Sequence, residues 1–239
     1  MVDFEEAKKQ LLLHGSGSYD AAGQVLVLED GFLGSLRPYR GLREKNFHIV
    51  MEALLTVGER VYLDRQVDRD LIETVWSMCW YARAWGLRPD GMLHRNRLIK
   101  AEDASRLERW IQTVEQTALR LLAGQPPHLI IYHYAEYIVQ AGVWWDNIPF
   151  FITLMDRAVS DPDTFDAIEM ILNALAKLGG LAKAVLPTLR EAQRRTYTWE
   201  IPPERCTDSV RATIQNAIQS IEAAGGEDAS KNSQELQTD

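Results

Sequence analysis

The chain has 239 residues, 46% of them hydrophobic and 25% charged, with a formal net charge of −8. That composition supplies a sizeable core, and the acidic balance argues against general nucleic-acid affinity, which rests on neutralising phosphates. Two cysteines, Cys79 and Cys206, exclude a disulfide framework, and no apolar run approaches the ~20 residues of a membrane span. The N-terminal MVDFEEAKKQ is acidic and polar where a secretory signal needs a basic start and an apolar stretch, so a reduced, cytoplasmic protein is expected. Charge is uneven along the chain. Residues 1–34 carry a net of −4, residues 35–109 a net of +3, and residues 110–239 a net of −7.

Helical periodicity dominates. Residues 24–28, QVLVL, read equally as a short strand or a buried helical turn. Phe47, Val50, Met51, Leu54 and Val57 then recur at helical spacing. Residues 71–82, LIETVWSMCWYA, are apolar on nearly every side, which predicts a helix buried from several directions; residues 129–139, LIIYHYAEYIV, predict the same. Ser105 and Glu108 stand three apart and predict a capping box for the stripe Leu107, Trp110, Ile111, Val114, Leu121 and Leu122. Asp146, Asp163 and Asp208 are placed as helix caps, with Pro149 tolerated in a first turn. Phe165, Ile168, Ile171, Leu172, Leu175 and Leu178 form the cleanest stripe, and Val210, Ile214, Ala217, Ile218 and Ile221 repeat it. Stops are read at Gly86, Gly124, Gly179-Gly180 and Gly225-Gly226. The expectation is about eight or nine helices joined by short loops with no convincing sheet, and residues 227–239 as a disordered polar tail.

The second half repeats itself. Residues 148–180 read as a helix, a turn bearing Asp-Pro-Asp and a second helix ended by glycines; residues 185–226 follow the same plan with a longer connection. Ile148-Pro149 recurs as Leu186-Pro187 thirty-eight residues on, and Asp163 as Asp208 forty-five on. The last 90 or so residues resemble two HEAT-like repeats, with a proline in the first helix, an Asp before the second, and Asp208-Ser-Val-Arg211 close to the family's Asp…Val-Arg pattern. Asp163-Thr-Phe-Asp166 lacks that arginine. The resemblance implies an all-α, right-handed α-α superhelix of about four to five helix pairs, a single solenoid over residues 1–226, and a concave binding face. It implies no particular activity.

No catalytic constellation emerges. The five histidines show no HExxH spacing, His133 and Glu136 form an ordinary i, i+3 pair, and the paired His-Glu dipeptides of HEAT-like metal hydroxylases are missing. There is no GxSxG, P-loop or strand-preceded GxGxxG, and Cys79 sits in the apolar run WSMCWY, where burial leaves a thiol inert. Neither metal nor cofactor is expected.

Two basic loops remain, GSLRPYRGLREK from Gly34 and WGLRPDGMLHRNRLIK from Trp85. Arg37, Arg40, Arg88, Arg95 and Arg97 beside Tyr39 and Trp85 are residue types that grip phosphate or an acidic protein surface; the plainer reading is solvated turns whose arginines pair with nearby carboxylates. Trp144 and Trp145 precede a helix start, so one packs inward and the other lies partly exposed, as binding hot spots do. Trp144-Trp145-Asp146 also resembles the Trp-Trp-Asp-x-x-Asp pattern of HEAT-like alkylpurine DNA glycosylases, but Pro149 stands at the position of the catalytic acid. The function expected is a non-enzymatic scaffold, adaptor or inhibitor holding another protein on its concave face, with the acidic C-terminal part favouring a basic one. The competing expectation is a nucleic-acid binder or base-repair protein using the arginine loops and the tryptophan pair.

Overall fold

A computed structural model describes residues 3–15, 18–19, 25–26, 28–64, 66–141, 154, 165–194 and 211–224. The described residues are overwhelmingly helical, as the periodicity predicts. They fall into two compact units, Met1–Ile130 and Ile131–Asp239.

In the first unit α1 (Phe4–His14) starts at Asp3, whose carboxylate accepts from the Glu6 N–H at 2.9 Å. A two-residue antiparallel ribbon follows, β1 (Ser18–Tyr19) against β2 (Val25–Leu26), with Ser18 opposite Leu26 and Tyr19 opposite Val25. Within QVLVL, Val25–Leu26 are thus strand. A two-residue pairing leaves the expected all-helical class unchanged. Residues 28–36 then fold back onto the end of α1: Leu28 and Leu33 donate N–H groups to the carbonyls of Leu13 and His14, at 3.2 and 3.1 Å. Those are carbonyls the helix itself leaves unpaired.

Three long helices complete the unit: α2 (Glu44–Asp64), α3 (Arg69–Gly86) and α5 (Ala101–Leu122), with the short α4 (Met92–Arg95) between the last two. α1 packs on α2 and α3, and α5 packs on the same two. At their centre Phe47 stacks on Trp110, ring centroids 5.4 Å apart and 11° from parallel, while Phe32 tilts against the same indole. Leu11, Met51, Met78, Leu107 and Ile111, on the same four helices, are fully buried. The stripe on α2 is therefore core throughout.

Two expectations fail here. α5 begins at Ala101 with Lys100 at the cap position, so Ser105 lies inside the helix and makes no capping box. The favourable Glu102 and Asp103 in its first turn meet the helix dipole instead. The second failure is α3: Leu71, Val75, Met78, Cys79 and Ala82 are buried, but Trp76 is 71% exposed and Trp80 50%. A helix apolar all round has here one core face and one face turned to water.

The predicted stops at Gly86 and Gly124 hold. α3 ends at Gly86, and after α5 Gly124 takes the left-handed conformation at φ +66° while Gln125 N–H reaches the Arg120 carbonyl at 2.9 Å.

α6 (Pro127–Ala141) carries the unit boundary, which falls between Ile130 and Ile131. Ile130, Ile131, Tyr134, Ala135, Tyr137 and Ile138 are all buried, as the apolar sequence predicts. In the second unit α7 (Phe165–Leu178) ends at Gly179, where a 3-10 segment (Gly179–Val185) leads into α8 (Leu186–Arg194). A last helix, α9, spans 211–224. The stripes Ile168, Ile171, Leu172, Leu175 and Ile214, Ala217, Ile218, Ile221 are buried. Arg190 donates to Glu222 at 2.6 Å and Gln193 bonds Gln215, so α8 and α9 run antiparallel. Asp146, Asp163, Asp208 and Gly225-Gly226 lie outside the described residues.

Candidate functional site

The exposed face of α3 meets an exposed face of α5. Ile72, Trp76, Cys79 and Arg83 follow i, i+4, i+7 and i+11, one stripe of a helix; Glu115, Ala118, Leu119 and Leu122 follow i, i+3, i+4 and i+7 on α5. Between them runs an open groove of about 310 Å³. Its floor is Leu54, Val57 and Val61 of α2 with Leu71 and Val75 of α3, and its walls are Trp76 on one side and Leu119 and Leu122 on the other. Leu119 is 67% exposed and Leu122 51%, so the predicted core position of Leu122 is corrected to a groove rim.

The groove is closed on one flank by an ion pair. Arg83 Nη2 donates to Glu115 Oε2 at 2.7 Å, and Nη1 engages the other carboxylate oxygen. Among the described lining residues Glu115 is the one charged side chain, and it is committed to Arg83. Cys79 lies beneath. Its burial, with the Glu115 charge adding to it, pushes the thiol up to about 12 and holds it in the protonated form.

A second surface lies toward the C-terminal end of α3. The Arg37 guanidinium sits 5.4 Å from the centroid of Trp85, Trp85 stacks on Tyr81 at 5.1 Å, and Arg88 lies 5.0 Å over Trp80. Cations at a helix C-terminus also meet the negative end of its dipole. Arg37 and Arg88 thus each lie over an indole of α3, Trp85 and Trp80 respectively. Arg40 does not: it pairs with Asp30 at 2.9 Å and Glu29 at 3.2 Å, with Arg43 on the same Asp30. For Arg40 the plainer reading of the loop is the right one. Arg95 and Arg97 are exposed at the end of α4.

No family model, curated protein or solved structure matches this chain.

Trp144 and Trp145 lie outside the described residues, and so does Cys206. Among the described residues no cluster of His, Cys, Asp and Glu is arranged to hold a metal ion, and no helix is long and apolar enough to cross a membrane. His14 is buried. It accepts the Phe32 N–H at Nδ1 over 3.1 Å, and desolvation lowers its pKa to about 4, so its imidazole is neutral and structural. Sequence reasoning missed Ile72, Trp76, Leu119 and Leu122. The available signal was the width of the apolar arc on α3, which exceeds what one packing face consumes.

Proposed function

We propose that this protein is a non-enzymatic binding module whose first unit holds another protein in the α3–α5 groove. The observation that carries the reading is Trp76, an indole 71% exposed at the wall of an apolar trough. Exposed tryptophan beside a dry concavity is the residue type and setting in which interface energy concentrates, with hot-spot truncations costing about 2 kcal/mol or more. Two exposed helical ridges with apolar residues between them also form the surface that receives a third helix. The HEAT-like architecture, a right-handed superhelix of helix pairs, is part of this proposal; the antiparallel α8–α9 pair supports it. The test is capture with the full chain as bait. A partner retained by the wild type and lost with Trp76→Ala supports the reading, and partners retained equally by both proteins refute it.

A second reading has its own observation. The Arg37–Trp85–Tyr81 and Arg88–Trp80 stacks combine cations with half-exposed rings, the combination on which single-stranded nucleic acid stacks. The net charge of −8 opposes it. Fluorescence anisotropy with labelled DNA and RNA decides between them: salt-sensitive binding lost in Arg37→Ala/Arg88→Ala selects the nucleic-acid reading, and no binding at low salt removes it.

A further inference from the structure

We infer that the occupant of the α3–α5 groove is a helical segment of another protein, apolar along one face and cationic at one end. The inference rests on the groove being the binding surface and adds which partner it accepts.

The groove is a poor small-molecule site. Ligand pockets fix a small molecule with a few converging polar groups, and here Glu115 is already held by Arg83. What remains is a greasy trough with raised walls, suited to the i, i+3, i+4, i+7 side chains of an amphipathic helix.

The charge is set at the trough's end. Past Val61, Val67 and Leu71, which line both, the groove opens into a second cleft of about 570 Å³. Asp3, Glu5, Asp64 and Asp68 face this cleft, with Arg60 the one cation among its described lining residues. Arg60 pairs with Asp64, and Lys8 reaches Asp68 from outside the lining. Among the described residues Asp64 and Asp68 are thus paired, and Asp3 and Glu5 are the two lining carboxylates in no ion pair with a cation of the cleft. An apolar wall beside such a cluster focuses its field toward whatever lies in the trough. A basic end on the bound helix is attracted there and an acidic end repelled. The same argument disfavours a second copy of this chain, whose net charge is itself −8.

The test uses the full-length chain and synthetic helix-forming peptides labelled with fluorescein. One carries leucines at i, i+3, i+4 and i+7 with lysines at one end, its twin carries glutamates in place of the lysines, and a scrambled lysine peptide has no apolar face. The lysine-ended peptide is expected to bind at least tenfold tighter than its twin by anisotropy, and the scrambled peptide not to bind. Glu5→Gln/Asp64→Asn is expected to shrink that preference severalfold, and Trp76→Ala or Leu119→Ser to weaken both twins tenfold or more, with circular dichroism unchanged. Equal binding of the twins, still weakened by Trp76→Ala, overturns the cationic partner and leaves the groove standing. Absence of binding by both twins, or binding indifferent to Trp76→Ala and Leu119→Ser, overturns the groove itself. A concentration-dependent dimer abolished by Trp76→Ala makes the occupant a second copy and overturns the inference.

Discussion

Arg83 and Glu115 join α3 to α5 through two parallel N–H···O contacts, one of them 2.7 Å long, on the flank of an otherwise apolar groove. The pair holds the Arg83 guanidinium above its ordinary range, first through that hydrogen bond. Its side chains are nevertheless 41% and 37% exposed, so water screens much of the attraction. A double-mutant cycle of Arg83→Ala and Glu115→Ala is expected to return a coupling of about 0.2–1 kcal/mol. A coupling well above that range means the pair is drier than its exposure indicates.

Acid should weaken the fold through His14. Its folded pKa, about 4, lies below the ordinary 6.5 because burial penalises the imidazolium. Between those values the unfolded chain binds the proton and the folded chain does not. The stabilisation is therefore complete above pH 6.5 and is lost as pH falls toward 4. From pH 7 to pH 5 that loss is about 2 kcal/mol. His14→Asn keeps an acceptor for the Phe32 N–H and removes the titration, so urea midpoints of this variant should vary less over that range than those of the wild type.

Arg97 occupies the left-handed region at φ +53°, while Leu98 N–H reaches the Leu93 carbonyl at 2.8 Å and Arg97 N–H the His94 carbonyl at 3.0 Å. This is the same helix stop that Gly124 makes after α5, built with a residue that pays a steric cost there. Arg97→Gly should keep the fold and hold or raise stability by up to ~1 kcal/mol, measured by thermal denaturation. A clear loss would show that the Arg97 side chain anchors the loop.

Gly91 behaves differently. A Cβ there would stand 2.7–2.8 Å from the carbonyl oxygens of Ala84, Arg88 and Trp85, which are backbone and have little room to move. Gly91→Ala should cost about 1–3 kcal/mol, as overpacked sites do. Gly124→Ala meets nothing within 4 Å and should cost about 1 kcal/mol, from its positive φ alone. Equal midpoints for the two variants would contradict this ordering.

The sequence by itself determined the helical class, the core stripe on α2, most of the stripe on α5, and the stops at Gly86, Gly124 and Gly179, because period, capping and glycine conformation are local properties. It misplaced the start of α5 by reading Ser105 and Glu108 as a cap, since a capping box and an ordinary i, i+3 pair share one spacing. Only the tertiary structure decided which side of α3 faces water. Met78 and Trp76 are both large, largely apolar side chains, and what distinguishes them is whether a neighbouring helix arrives on that side: among the described elements α1 and α5 pack on α3, and Met78 is buried while Trp76 stays 71% exposed. The arginines divided for the same reason. Arg37, Arg40 and Arg88 are alike in sequence, yet Arg40 met Asp30 and Glu29 while the other two came to rest on tryptophan rings, because the carboxylates and indoles that choose between those fates are brought into reach only by the fold.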